Sequence, residues 1–143
     1  EAGYTTVGEF HYLHHAPGGT RYADPNAMGE ALIEAAAEAG IRITLLDTAY
    51  LSSGFGQPPN AHQRRFSDGT ADAWAQRAAL LKDREHARIG AAVHSVRAVP
   101  ADQLSTVARW TRFMSYTYSP SAAVTSSLFW YQTMPERREV RAR

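Results

Sequence analysis

The sequence predicts an α/β fold in which parallel strands alternate with helices. Segments 5–13, 41–51 and 88–99 are rich in β-branched, aromatic or aliphatic residues, and each precedes a loop and a segment with helical apolar spacing. The order βαβαβα is typical of parallel β/α architecture, either a barrel or an open sheet. A chain of 143 residues, 44% of them hydrophobic, is long enough for one domain with its own core.

The first predicted strand, residues 5–13, ends in a group of histidines and a tyrosine. Because side chains alternate along a strand, Glu9 and His11 are expected on one face and Phe10 and Tyr12 on the other. The residues that follow include a proline and two adjacent glycines, which favour a loop. The strand is therefore expected to lead directly into a site.

The first predicted helix covers residues 26–39. Asp24 is expected as its N-cap, with Pro25 at the first helical position and Gly40 as the C-terminal stop. The predicted inner face consists of Met28, Leu32, Ala35, Ala36 and Ala39. This spacing indicates an amphipathic helix that covers a sheet.

The second strand, residues 41–51, contains a near-continuous apolar run, which is typical of a parallel strand buried on both faces. The loop at 52–66 is long, and such loops are usually functional or disordered. A second helix is expected at about 70–82, capped by Ser67 or Asp68. Its predicted inner face consists of Trp74, Ala78 and Leu81.

The third strand is expected at 88–99, with His94 and Arg97 near its end. A third helix begins after Pro100 and is predicted to reach about Trp110. The carboxyl ends of parallel strands meet at one edge of a sheet, where ligands of β/α proteins bind. The unusual polar and aromatic residues all follow strands: His11, Tyr12, His14, His15, Tyr50, His94 and Arg97.

Most of these residues also have a structural interpretation. His11 alone is expected to be a hydrogen-bonded structural group, and His14 and His15 are as compatible with a solvated loop as with a ligand role. The guanidinium of Arg97 suits a bidentate carboxylate, so this residue is either a substrate clamp or half of an internal ion pair. No strand contains a His-x-His pair, so the residues alone do not predict a metal site.

Composition excludes several classes of function. The absence of cysteine removes disulfides, thiolate catalysis and cysteine-type zinc sites, and indicates a cytoplasmic setting. A formal charge of +1 with interspersed charges predicts neither a nucleic-acid nor a membrane-surface partner. No apolar run approaches the roughly 20 residues needed to cross a bilayer.

Four motifs follow one another along residues 1–110. The first is Glu9-Phe10-His11-Tyr12-Leu13-His14-His15, and the second is the Leu45-Leu46 strand that leads to Tyr50 and Ser53-Gly54-Phe55-Gly56. The third is Gln63-Arg64-Arg65-Phe66, and the fourth is His94-Ser95-Val96-Arg97-Ala98-Val99. In this order and spacing, the chain resembles the formimidoylglutamate deiminases, histidine-degrading enzymes of the amidohydrolase superfamily. The resemblance separates the chain from the guanine and cytosine deaminases of that superfamily.

The resemblance implies a (β/α)8 barrel of the metal-dependent hydrolase type, of which this chain holds about three β/α units. It also implies one divalent metal, usually zinc, whose bound water attacks the formimino carbon of N-formimino-L-glutamate and yields N-formyl-L-glutamate and ammonia. Tyr12, His94 and Arg97 match the positions that hold the carboxylate end of the substrate. Enzymes of this superfamily are often homodimers.

The family's metal ligands and catalytic residues have no counterpart in this chain. The first histidine pair is expected upstream of Glu1, and the others should follow Trp110, where residues 111–143 instead form a divergent tail. Codons for residues 116–121 can be chosen so that a neighbouring frame encodes the expected ligand strand, which suggests a frameshift. We expect an isolated chain without deiminase activity; the alternatives are a non-catalytic binding module for an acidic amino acid and an inactive fragment.

Overall fold

The computed structural model describes residues 3–116 of the backbone and residues 3–110 of the side chains. Within this range three parallel strands alternate with three helices, as predicted. The elements are β1 (Thr6–His11), α1 (Ala27–Glu38), β2 (Arg42–Ala49), α2 (Ala71–Ala78), β3 (Ala87–Val93) and α3 (Leu104–Tyr116). Short 3₁₀ turns lie at Pro17–Gly19, Gln63–Phe66 and Ala101–Gln103.

The strands form one sheet in the order β1-β2-β3, with β2 in the centre. Both pairings are parallel, and the register places Glu9 beside Leu45 and Leu45 beside Ile89. The next row contains Phe10, Leu46 and Gly90 on the opposite face, because side chains alternate along each strand. All three strands therefore end at one edge of the sheet.

The core lies between one face of the sheet and the helices. Strand residues of this face, such as Leu45, pack against all three helices in one cluster. The buried members are Ile33, Ala36, Ile43, Leu45, Ala49, Leu51, Ala71, Trp74, Ala78, Leu81, Ala87, Ile89, Val99, Val107 and Trp110. On the other face Phe10 is 43% exposed. One side of the sheet is thus covered by the described helices and the other is open.

The inner face of α1 differs from the predicted one. Its buried residues are Gly29, Ile33 and Ala36, whereas Ala35 and Ala39 are exposed and Met28 and Leu32 are only partly buried. A Cβ atom at Gly29 would lie 3.2 Å from Cδ2 of Leu45, so the missing side chain lets the helix approach β2 closely. The buried face could not be predicted from this alanine-rich sequence, because several faces of the helix are similarly apolar.

The ends of α1 are partly as predicted. Asn26, not Asp24, is the N-cap residue, and the Asp24 carboxylate instead accepts a hydrogen bond from the Asn26 backbone N–H at 2.9 Å. Gly40 ends the helix with a φ of +68°, and the N–H groups of Gly40 and Ile41 donate to carbonyls of the last turn. This pattern is a Schellman motif, which favours glycine at its left-handed position.

The cap of α2 also differs from the prediction. The hydroxyl of Thr70 accepts a hydrogen bond from the Ala73 N–H at 3.1 Å, while Asp68 lies before the helix and binds an arginine. The helix ends at Ala78, four residues earlier than expected. Trp74 and Ala78 of its predicted inner face are fully buried, and Leu81, the third predicted residue, is also buried but lies after the end of the helix.

The third unit has different boundaries from those predicted. β3 ends at Val93, so His94 is the first residue after the strand. α3 continues to Tyr116, across the predicted domain boundary after Trp110. Residues 117–143, with most of the proposed tail and frameshift segment, lie outside the described residues. Within the described part of the chain, no helix is long and apolar enough to span a membrane.

Candidate functional site

The loops at the carboxyl edge of the sheet are joined to one another by main-chain hydrogen bonds. After β1, the N–H groups of His14 and His15 both donate to the carbonyl oxygen of Arg65, at 3.1 and 2.9 Å. Arg65 belongs to the 3₁₀ turn Gln63–Phe66, within the long loop after β2. These bonds place the end of β1 directly beside that turn.

A second set of bonds joins the end of β2 to the turn after β3. The N–H groups of Leu51 and Ser52 donate to the carbonyl oxygen of Ala98, at 2.7 and 2.9 Å. The hydroxyl of Ser52 donates to the carbonyl oxygen of Arg97 at 2.8 Å. The residues that follow the three strands therefore form one connected surface.

Aromatic side chains from all three strand ends meet on this surface. The His94 ring lies 4.5 Å from the Tyr50 ring and 5.1 Å from the Tyr12 ring, measured between centroids. Phe66 packs against Tyr12 at 5.1 Å and against Tyr50 at 5.5 Å. Gln63 donates a hydrogen bond to the Tyr50 hydroxyl at 2.8 Å. Two of the three predicted site residues, Tyr12 and His94, are thus in contact.

Arg97, the third predicted site residue, has an exposed side chain beyond the end of β3. No described acidic residue forms an ion pair with it, so the internal ion pair considered above is not formed within the described range. Its guanidinium is close enough to His94 to act on that ring electrostatically. The arginine is therefore exposed to solvent, and its charge acts on one member of the aromatic group.

His94 is held in its neutral form. Burial lowers the pKa of its imidazole below the ordinary value, and the positive charge of Arg97 lowers it further. Its Nδ1 atom is buried and has no hydrogen-bond partner among the described residues. A neutral imidazole beside an arginine can offer a hydrogen bond without adding a second positive charge.

A second polar group lies on the other face of the sheet, beneath the helices. The Arg77 guanidinium donates to both carboxylate oxygens of Asp47 at 2.8 Å, to Asp68 at 3.0 and 3.2 Å, and to Asn26 at 2.9 Å. Asp47 also accepts a hydrogen bond from the Trp74 indole at 2.7 Å. We call Asn26, Asp47, Asp68, Trp74 and Arg77 the Asp47 cluster.

The Asp47 cluster was not predicted from the sequence. Asp47 interrupts the apolar run of β2, and Arg77 falls next to the predicted inner face of α2 beside Ala78. A lone charge within an apolar pattern is the signal that could have found it, because a buried charge requires a partner. Pairing two such charges from different elements needs the three-dimensional fold.

The histidine that ends β1 and the two in the loop after it belong to the same helix-covered side. His11, His14 and His15 are buried, so the solvated-loop interpretation of His14 and His15 was wrong. His14 Nε2 lies 3.0 Å from the Thr48 carbonyl oxygen, and His15 Nε2 lies 3.0 Å from an Asp68 carboxylate oxygen. These contacts give the rings a structural role at the loop.

Electrostatics support a structural role for this group. Burial lowers the pKa of His11 to about 4 and also lowers that of His14, so both rings are neutral near pH 7. Burial alone would raise the pKa of Asp47, but the hydrogen bonds and charge of Arg77 hold it below its ordinary value. The Asp47–Arg77 pair is therefore ionised, while the adjacent histidines are not.

The described residues do not fit the metal that the resemblance implies. No group of three or more histidine, aspartate or glutamate side chains among them could hold a metal ion. The adjacent histidines His14 and His15 direct their Nε2 atoms at the Thr48 carbonyl oxygen and the Asp68 carboxylate instead. Nothing in this segment therefore assigns a metal-dependent step to a residue of this chain.

Known proteins with a similar sequence point to one group of enzymes. No model of a protein family matches the chain. Over 111 residues the chain is 42% identical to the formimidoylglutamate deiminase of Pseudomonas aeruginosa. The aligned region covers 75% of this chain and 24% of the relative. The predicted resemblance to the formimidoylglutamate deiminases is confirmed. The chain spans about a quarter of the length of this relative.

A solved structure extends the agreement from sequence to fold. The crystal structure of an amidohydrolase from Brucella melitensis matches with a TM-score of 0.70 and 42% sequence identity, covering 76% of this chain and 25% of that one. The three β/α units therefore have the fold of part of this amidohydrolase, which agrees with the predicted fold class of a partial (β/α)8 barrel. Of the two architectures that the strand order alone allowed, this match supports the barrel and not the open sheet.

Proposed function

We propose that this segment supplies the carboxylate-binding part of a deiminase site for N-formimino-L-glutamate. The observation that supports the proposal most strongly is the contact between Tyr12 and His94 beside an exposed Arg97. These residues come from two strands that are separated by β2 in the sheet. The ligand edge of a parallel β/α fold is the place where such a site is expected.

Each residue has a distinct task in this proposal. Arg97 donates paired N–H groups to a substrate carboxylate, which is the strongest kind of hydrogen bond available to a side chain here. Tyr12 lines the same surface and offers its hydroxyl as a further donor. His94, kept neutral by burial and by Arg97, donates or accepts one hydrogen bond.

Hydrolysis of the formimino group belongs to the complete protein in this proposal. Release of ammonia from an amidine carbon requires an activated water, which a divalent metal such as zinc can supply. The metal ligands and the acid-base residues are expected outside the segment described above. The segment therefore contributes substrate recognition, and the complete enzyme contributes the chemistry.

Calorimetric titration with N-formyl-L-glutamate tests the binding part of the proposal. The 143-residue chain is expected to bind this acid, and Arg97→Gln to weaken binding by about tenfold or more, because a charged hydrogen bond contributes about 1.5–3 kcal/mol. Arg42→Gln is the matched control, since Arg42 is exposed at the opposite end of β2. Equal affinities of the wild-type chain and Arg97→Gln would contradict the proposal.

A second candidate is a non-catalytic module that binds an acidic amino acid by itself. It needs only Tyr12, His94 and Arg97, all of which are among the described residues. It predicts a well-folded monomer that binds the acid, whereas a part of a barrel should associate through its open edges. Sedimentation of the chain together with the titration separates the two candidates.

A further inference from the structure

The turn that presents Arg97 is fixed from the neighbouring strand. The Ser52 side chain is only 8% exposed, and its hydroxyl donates to the carbonyl oxygen of Arg97 at 2.8 Å. Ser52 lies shortly after Ala49, the last residue of β2, so its position is set by the central strand of the sheet. The bond therefore ties the Arg97 main chain to the segment that follows the central strand.

Further bonds close the same turn. The Ala98 N–H donates to the Ser95 carbonyl at 3.0 Å, and the Ser95 hydroxyl lies 3.2 Å from the same N–H. The Ala98 carbonyl accepts from the N–H groups of Leu51 and Ser52. Two of these contacts involve side chains, the hydroxyls of Ser52 and Ser95, and only the Ser52 bond reaches the turn from outside it.

We propose that Ser52 is a positioning residue for Arg97, which it holds in place for a carboxylate ligand. This inference rests on the proposed function of Arg97 but concerns a residue that does not itself touch the substrate. An exposed arginine loses conformational freedom when it binds. Fixing its main chain beforehand reduces that loss and so strengthens binding.

Two readouts on the 143-residue chain test this role. The first is the titration of His94 by nuclear magnetic resonance, which senses the Arg97 charge without any ligand. The second is the affinity for N-formyl-L-glutamate. Ser52→Ala is compared with Arg97→Gln, which removes the charge, and with Ser53→Ala, whose exposed hydroxyl donates to Pro58 instead.

The expected result separates the variants clearly. Ser52→Ala should raise the pKa of His94 toward the value that His94 has in the Arg97→Gln variant. It should also weaken ligand binding about threefold to tenfold, the range expected for one hydrogen bond. Ser53→Ala should match the wild-type chain in both readouts. A Ser52→Ala chain that stays folded and matches the wild type in both would overturn the inference.

The controls keep this inference distinct from the proposed function. If the wild-type chain does not bind the acid, the proposed function fails, yet the His94 titration still reports whether Ser52 positions Arg97. If Arg97→Gln weakens binding and Ser52→Ala does not, only the role of Ser52 fails. Should Ser52→Ala unfold, Ser52→Cys keeps the volume with a weak donor and is judged by the same criteria.

Discussion

Charged residues behave differently inside the core and at the end of the sheet. On the helix-covered face, Asp47 is fully buried and completely paired, and its charge serves the fold. Beyond the end of β3, Arg97 is exposed and has no acidic partner among the described residues. A buried charge with a full set of partners indicates structure, whereas an exposed cation beside half-buried rings indicates recognition.

The Asp47 cluster makes a prediction about stability. Asp47→Asn should lower the free energy of unfolding by about 3 kcal/mol, because it leaves the buried Arg77 without half of its charge compensation. Asp72→Asn is the matched control, since Asp72 is an exposed aspartate on α2 and should cost less than about 1 kcal/mol. Urea denaturation followed by tryptophan fluorescence measures both; equal losses would contradict a structural role for the cluster.

The buried histidines predict how stability depends on pH. The pKa of His11 is about 4 in the folded chain and 6.5 when unperturbed, so the unfolded state takes up its proton first as the pH falls. The free energy of unfolding should therefore decrease between pH 6.5 and 4, by up to about 3 kcal/mol from His11. The contribution of Asp47 is lost only at lower pH, below its ordinary pKa of 3.8.

Denaturation curves recorded from pH 7 to pH 5 test this dependence. His11→Gln should flatten the decrease because it removes a titrating group, while replacement of the exposed His62 by glutamine should leave the slope as in the wild-type chain. A slope that His11→Gln does not change would show that His11 is not the titrating group.

At the scale of elements, the alternation of strands and helices was predictable because each type of element imposes its own spacing on the apolar residues of the sequence. All six elements were predicted, and the inner face of α2 was correct because Trp74 marks it unambiguously. The inner face of α1 was only partly correct, since Ala36 is buried but alanines surround Ile33, and the close packing of Gly29 on Leu45 selects one face. The N-caps of α1 and α2 were wrong by a few residues because several polar residues compete at each helix start, whereas the C-terminal stop at Gly40 was correct.

The cap of α2 offers a direct test at this scale. Thr70→Ala should destabilise the chain by about 1 kcal/mol, because it removes the hydroxyl that accepts from the Ala73 N–H. Ser67→Ala, at the cap that the sequence suggested, should have a smaller effect, since that hydroxyl accepts only from the Gly69 N–H in an exposed turn. Thermal unfolding of the two variants compares them, and a larger loss for Ser67→Ala would reverse the assignment.

The site was predictable only in part. Its place followed from topology, because parallel strands end at one edge, and the resemblance selected Tyr12, His94 and Arg97 among the candidates. The contacts that fix these residues, such as Ser52 with Arg97 and Gln63 with Tyr50, join positions 45 and 13 residues apart. No local pattern marks such pairs, so they required the structure.

At the scale of the whole molecule, three β/α units cannot close a barrel. Among the described strands, β1 and β3 each pair on one side only. Unpaired edges and an open face with a 43% exposed Phe10 favour pairing with other chains. The remaining strands of the barrel would cover these surfaces in a protein of the length of its relatives.

The isolated chain is therefore expected to self-associate or to be poorly soluble. Sedimentation velocity should show species larger than a 15.8 kDa monomer, and Phe10→Lys should reduce them by placing a charge on the open face. Leu80→Lys is the matched control, because Leu80 is 60% exposed near the end of α2, on the helix side. A monodisperse wild-type monomer would contradict this expectation and favour the independent binding module.

Segment exchange tests the central claim most directly. The matching segment of this chain replaces its counterpart in the formimidoylglutamate deiminase of Pseudomonas aeruginosa, and ammonia release from N-formimino-L-glutamate is measured. We expect an active chimera whose kcat/KM falls about tenfold or more with Arg97→Gln and stays unchanged with Arg42→Gln. A folded, inactive chimera, or an active one that Arg97→Gln does not affect, would contradict the assignment of substrate recognition to this segment.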